Sequence, residues 1–247
     1  MEDRDAELAE HLQELRARLI RAIVFLAIGV GVAWFLYPWI YELLTAPIKA
    51  AFESRNLKLA MMMTRMTEAF MLRCQVSIIA GAIIAAPMMT IEAWGFVAPA
   101  LTRDEKRPVK WIAPLSIFLF ALGVTIGYLI LPSAMKFFTM YIPPNTELRP
   151  VVADNLVFIV KMLLAFGLVF ELPIVLIFLG KLGIVNSKML RSGWRYAMIC
   201  IAILAAVATP SSDAISMLAM AVPLAGLYLV SILLVKIVEP KGPKSEV

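Results

Sequence analysis

Histidine is almost missing from this chain: one residue, His11, in 247. Cysteine occurs twice, at Cys74 and Cys200, each inside an apolar stretch where it reads as a small buried hydrophobe. Metal sites with nitrogen and sulfur ligands need several such donors at close spacing. Histidine-based acid–base catalysis has one candidate to draw on. No GxxxxGK[ST] phosphate loop, HExxH helix or GxSxG elbow occurs. The expectation is a protein that is not an enzyme and carries no cofactor and no metal.

Charge is scarce too. Charged residues make up 17% of the chain against 62% hydrophobic, and the mean hydropathy is +0.86. A water-soluble domain is about 45–50% apolar. The charges that exist lie in clusters between apolar windows, the distribution a membrane-spanning chain requires. The formal net charge of +5 does not point to nucleic acid, because the basic residues flank apolar segments and form no continuous stripe.

Apolar windows long enough for a helix to cross the hydrocarbon layer run approximately over 22–41, 74–91, 111–135 and 162–180. Shorter ones follow over 196–208 and 214–235. They are continuous runs without alternation, so helices are expected and a β-barrel is not. The fold class is an all-α integral membrane bundle of six transmembrane helices, the last two short, in a single domain over 1–247. Lys and Arg are nearly twice as numerous on the side that holds both termini, which places the termini in the cytoplasm. Met1–Glu14 is polar and acidic, unlike the basic start of a cleaved signal peptide, so the first span is expected to be retained. Trp34, Trp39, Trp94, Trp111 and Trp194 fall near span ends, as interfacial anchors do. Of the outer loops, Glu42–Arg73 is expected to be partly ordered, Tyr141–Asp154 irregular, and Thr209–Asp213 a tight turn. The fifth window, at 1.5 Å per residue, covers about 20 Å, short of the bilayer core.

Three segments carry candidate function. Leu8, Leu12, Leu15 and Leu19 form one apolar stripe on a surface helix. Glu14 lies off that stripe, where it either pairs with Arg18 at i+4 or serves a ligand. Phe96–Arg107 is either a capping box from Thr102 to Glu105 or a binding loop; Pro108 argues against a long helix from that cap. Glu171, beside Pro173, is a carboxylate inside an apolar span, where it costs at least about 2.5–3.5 kcal/mol. That expense favours a functional carboxylate over a merely protonated, hydrogen-bonded one.

In chain order these segments resemble the TatC family. The HLxELRxRL start runs from His11 to Leu19, and Ala46-Pro47 follows the first span. Thr67-Glu68-Ala69-Phe70 is similar to the TPxExF element. Phe96-Val97-Ala98-Pro99-Ala100-Leu101 and Glu105-Lys106-Arg107 match the first cytoplasmic loop. Phe166-Gly167 with Phe170-Glu171-Leu172-Pro173 matches the fourth span. Thr209-Pro210 with Asp213, Ser216 and Pro223 matches the last hairpin. Ser211-Ser212, Leu229 and Gly193-Trp194 depart from the family pattern.

The resemblance implies a multi-pass cytoplasmic (inner) membrane receptor for folded cargo whose signal peptide bears two consecutive arginines. Glu14 and Glu105 would take those arginines, with Arg16, Phe96 and Leu101 at the site. A guanidinium offers a carboxylate a planar fork that lysine cannot reproduce. Glu171, Thr209, Pro210 and Asp213 would make intramembrane or partner contacts, and Pro47, Glu68, Phe70 and Pro99 would be structural. The implied partners are TatA and TatB, further copies of this chain and the lipid bilayer, with the proton-motive force as energy source and no nucleic acid. The rival class is a proton-coupled small-solute transporter using Glu171; a membrane-embedded enzyme is weaker, because no nucleophile, base or metal set is present.

Overall fold

The computed structural model describes residues 2–54, 61–97, 103–140, 150–208 and 214–238. Among the described residues the protein is helical, with no strand and one isolated backbone bridge between Met62 and Val151. The helices are α1 (Glu2–Phe35), α2 (Tyr37–Glu53), α3 (Glu68–Val97), α4 (Arg103–Thr139), α5 (Val152–Phe170), α6 (Leu172–Lys181), α7 (Ser187–Ser192), α8 (Trp194–Ala208) and α9 (Ala214–Val238). Stretches long and apolar enough to cross a membrane lie at Gln13–Phe35, Glu68–Phe96, Ile112–Phe137 and Val152–Lys181, and shorter apolar helical stretches at Trp194–Ala206 and Ala221–Ile237. These overlap the windows read from the sequence. In lipid a helix satisfies every backbone donor and acceptor within itself, which explains why the charge-free runs all adopt it.

The structure corrects two local expectations. Pro108 does not stop α4, which runs unbroken from Arg103 to Thr139. Pro108 lies six residues into α4, where it removes one hydrogen bond near the start and leaves the long helix beyond it to absorb that loss. The fourth window is not one helix either: a turn at Glu171 separates α5 from α6. Pro173 cannot donate to the Val169 carbonyl four residues earlier, and just before it Glu171 N donates to Leu168 O at 3.2 Å, a tighter three-residue bond.

The chain groups into two compact units. The first holds Met1–Ala46, Met62–Phe118 and Val151–Val160. Its centre is the antiparallel pair α1 and α3. Gly29 and Gly81 let the two backbones nearly touch: a Cβ on Gly81 would lie 2.6 Å from the backbone N and Cα of Val30. Small residues at a crossing of this kind replace the hydrophobic driving force that lipid does not supply. Trp94 is not the interfacial anchor expected of it. It is 8% exposed, and its indole Nε1 donates to Ser116 Oγ at 3.0 Å. At the other end of the pair, Pro38 has no N–H to give the carbonyl of Trp34. Arg73 Nη2 donates to that oxygen at 3.0 Å, and the guanidinium carbon lies 4.4 Å from the Trp34 ring centre. Glu68 ties down the approach to α3 by accepting from Thr64 N at 2.6 Å, Thr64 Oγ1 at 2.7 Å and Arg65 N at 3.1 Å.

The second unit holds Pro47–Met61, Leu119–Pro150 and Lys161–Val247. Here α4 and α5 approach closely at Gly123, where a Cβ would sit 2.7 Å from Phe166 O. Helix α6 ends in a Schellman motif around Gly183, whose φ is +70°: Ile184 N donates to Leu179 O at 3.0 Å and Gly183 N to Gly180 O at 3.1 Å. Asn186 caps α7 by accepting from Met189 N at 2.7 Å. Helix α9 packs along α6, α7 and α8, and Tyr228 OH donates to Leu190 O at 2.9 Å.

Candidate functional site

Four charged residues of the first unit, Glu14, Arg18, Arg21 and Glu92, meet where the middle of α1 lies against the end of α3. Glu14, Arg18 and Arg21 are spaced four and three apart, so a helix carries them on one side. Arg18 and Glu14 form the i,i+4 pair that one reading of the sequence expected: Nε and Nη2 of Arg18 both donate to Glu14 Oε1, at 3.0 and 2.7 Å. Glu14 Oε2 accepts no hydrogen bond among the described residues. The Glu14 side chain keeps 32% of its surface exposed.

Glu92 completes the cluster, and the sequence reading missed it. It sits near the end of α3 with 14% of its side chain exposed. Arg21 grips it as a fork, Nε to Oε1 at 2.8 Å and Nη2 to Oε2 at 2.9 Å. Arg18 Nη1 reaches the same Oε2 at a longer 3.3 Å. Two acids and two arginines therefore neutralise one another across the helix pair. The available signal was a lone carboxylate at the margin of the second apolar window, facing two arginines three residues apart on the preceding antiparallel helix. It becomes readable only once the register of α1 against α3 is known.

Gly95 is the space in which this arrangement fits. A Cβ there would overlap Arg18 Nη1 and come within 2.9 Å of its Cζ and 3.3 Å of its Nη2. The guanidinium thus reaches the bare α3 backbone with Nη1 foremost, three residues from Glu92. Arg16 is exposed on α1 with no ion pair among the described residues, and Phe96 is half-buried next to Gly95.

The other expected residues are distributed as follows. Glu105 belongs to the first turn of α4 by its backbone, and its side chain is outside what the structure describes. Pro99, Leu101, Thr209, Pro210 and Asp213 lie outside the described residues. Glu171 is half-buried at the α5–α6 turn, in the second unit. Phe70 is 60% exposed and meets Trp34 edge-on at 6.3 Å between ring centres. Pro47 is inside α2. Among the described residues no group of three or more His, Cys, Asp or Glu side chains is placed to hold a metal ion.

Residues 10–223 match the family model described as Sec-independent protein translocase protein (TatC). The chain is 37% identical over 246 residues to the protein of that name from Desulforapulum autotrophicum, covering 99% of this chain and 90% of that one. It is 34% identical to the Aquifex aeolicus protein of the same name, covering 95% and 96%. Among solved structures it superposes on the crystal structure of the twin-arginine translocase receptor TatC with a TM-score of 0.84 and 33% identity, over 92% of this chain and 99% of that one.

Proposed function

Because the chain belongs to the TatC family of Sec-independent protein translocases, we propose that it is the membrane receptor of that machinery. In this reading it takes up twin-arginine signal peptides through Glu14 and Glu105. Membership makes it a multi-pass protein of the cytoplasmic membrane and a non-enzymatic part of a protein-export system. The signal-peptide assignment rests on one observation above all. The Glu14 carboxylate spends one oxygen on Arg18 and leaves the other open, on a partly exposed helix face.

An arginine arriving at that oxygen gains a charge-assisted hydrogen bond. Partial shielding matters, because fully exposed ion pairs contribute only about 0–1 kcal/mol. Glu105 is assigned as the second acid, with Arg16, Phe96 and Leu101 as the further residues of the site. The excess of Lys and Arg on the side of the termini supports a cytoplasmic placement, where a signal peptide is presented. The apolar part of the peptide adds burial along the helices.

TatA and TatB are the proposed single-span partners, joined by further copies of this chain, with Glu171, Thr209, Pro210 and Asp213 as contact residues and the proton-motive force as driver. A half-buried acid at a break between two helices suits a hydrogen bond to an incoming helix. Photo-crosslinking of a twin-arginine peptide to Glu14→Ala and Glu105→Ala membranes tests the first assignment. Crosslinks fall in each, and undiminished yield in both rejects it. In the same membranes, Glu171→Ala lowers crosslinking to the partner proteins while Glu14→Ala does not; equal partner yields reject the Glu171 role.

A further inference from the structure

The cluster contains an arginine already seated on the acid that the proposed function assigns to an incoming arginine. Arg18 donates twice to Glu14 Oε1, at 3.0 and 2.7 Å. An incoming guanidinium can touch Oε2 at once, but Oε1 already accepts two N–H groups from Arg18, which use both of its lone pairs, so a fork on both oxygens forms only when Arg18 gives up Oε1. Full engagement of a peptide therefore requires Arg18 to leave, and a guanidinium without a carboxylate is poorly placed on a partly buried face.

Glu92 is where it goes. Its Oε2 already accepts from Arg18 Nη1 at 3.3 Å, a bond longer than the 2.8 and 2.9 Å fork it makes with Arg21. The guanidinium thus bridges the two acids, tight on Glu14 and loose on Glu92. Gly95 makes the bridge possible, because any side chain there would occupy the position of Nη1, the arm that reaches Glu92.

We propose that Arg18 is a built-in occupant of the peptide site, and that Glu92 and the side-chain gap at Gly95 form the berth that receives it when a signal-peptide arginine takes Glu14. This rests on the assignment of Glu14 to peptide binding. Glu92 is a positioning residue: it acts through Arg18 and sets how readily Glu14 is released. Its own fork with Arg21 stays in place, so the berth is fixed before the peptide arrives.

The test uses the full chain in lipid nanodiscs and a fluorescent twin-arginine signal peptide, with dissociation constants read by anisotropy. Glu92→Gln keeps the size of the side chain and removes its charge. It leaves a displaced Arg18 without an acid to receive it, and weakens peptide binding by about threefold, the size of one partly exposed ion pair. Arg18→Ala tightens binding. In the Arg18→Ala background, Glu92→Gln has a much smaller effect than in the parent.

A merely structural Glu92 would give the same loss in both backgrounds, and that result overturns the proposal, as does tighter binding by Glu92→Gln alone. Glu14→Gln separates the two levels. If it leaves peptide affinity intact, the peptide assignment fails and the exchange with it. If it abolishes binding but Arg18→Ala does not tighten it, only the exchange fails.

Discussion

Pro38 and Arg73 form a complementary pair that no local rule of sequence would join. The proline takes away the amide that the Trp34 carbonyl would have used, and the arginine from α3 supplies the missing donor. A buried carbonyl without a donor costs about 1–3 kcal/mol. Arg73→Met is therefore expected to lower stability in detergent by about that amount, followed by thermal unfolding. In a Pro38→Ala background, where the restored amide at position 38 can donate to the same oxygen, the loss should shrink to the cation–π part, about 0.5–1 kcal/mol. At this scale the sequence was half legible. Glu14 with Arg18 follows from helical spacing alone. Arg21 with Glu92, and Arg73 with Trp34, depend on which turn of α3 faces which turn of α1, and a single sequence carries no register between distant helices.

The helices themselves were the easiest part to foresee. Long charge-free runs have one low-energy backbone in lipid, so their existence followed from composition and their approximate ends from flanking charge. Their breaks were harder. Pro108 reads as a stop but is passed over, whereas Pro173 helps open a turn at Glu171. A mid-run position is not by itself the cause, since Pro87 and Pro223 sit inside the unbroken apolar helices α3 and α9. Close helix contacts were not legible, because a glycine looks the same whether it faces a helix or lipid. The structure separates them. A methyl on Gly81 would meet Val30 backbone at 2.6 Å, and one on Gly31 would meet nothing within 4 Å. Backbone cannot step aside as a side chain can, so Gly81→Ala is expected to destabilise by about 1–3 kcal/mol. Gly31→Ala should be neutral or stabilise by up to about 1 kcal/mol through helix propensity. Thermal unfolding of the two variants side by side checks both signs.

For the whole molecule, the solvent is written on the outside. Phe35 is 82% exposed, Ile237 78% and Trp39 77%, values that water would punish and acyl chains accept. The membrane class was therefore visible from composition, while function was visible only through motifs, since neither hydropathy nor charge distinguishes a receptor from a transporter. Their electrostatics differ in a measurable way. A receptor that grips arginines at a partly exposed carboxylate should lose affinity as salt rises, because the screening length falls from about 10 Å at 0.1 M to about 3 Å at 1 M. Twin-arginine peptide binding to the purified chain is expected to weaken over that range, and a twin-lysine peptide to bind less at every concentration, as read by anisotropy. Salt-independent affinity with no preference for arginine would point away from a carboxylate site.

The pairing of Arg73 with Trp34, 39 positions apart, means that the first helix is not self-sufficient in its backbone. Pro38 withholds the local donor, and the third helix supplies one from across the pair. Drawing those two helices apart would return that oxygen to whatever solvent lies at the helix end.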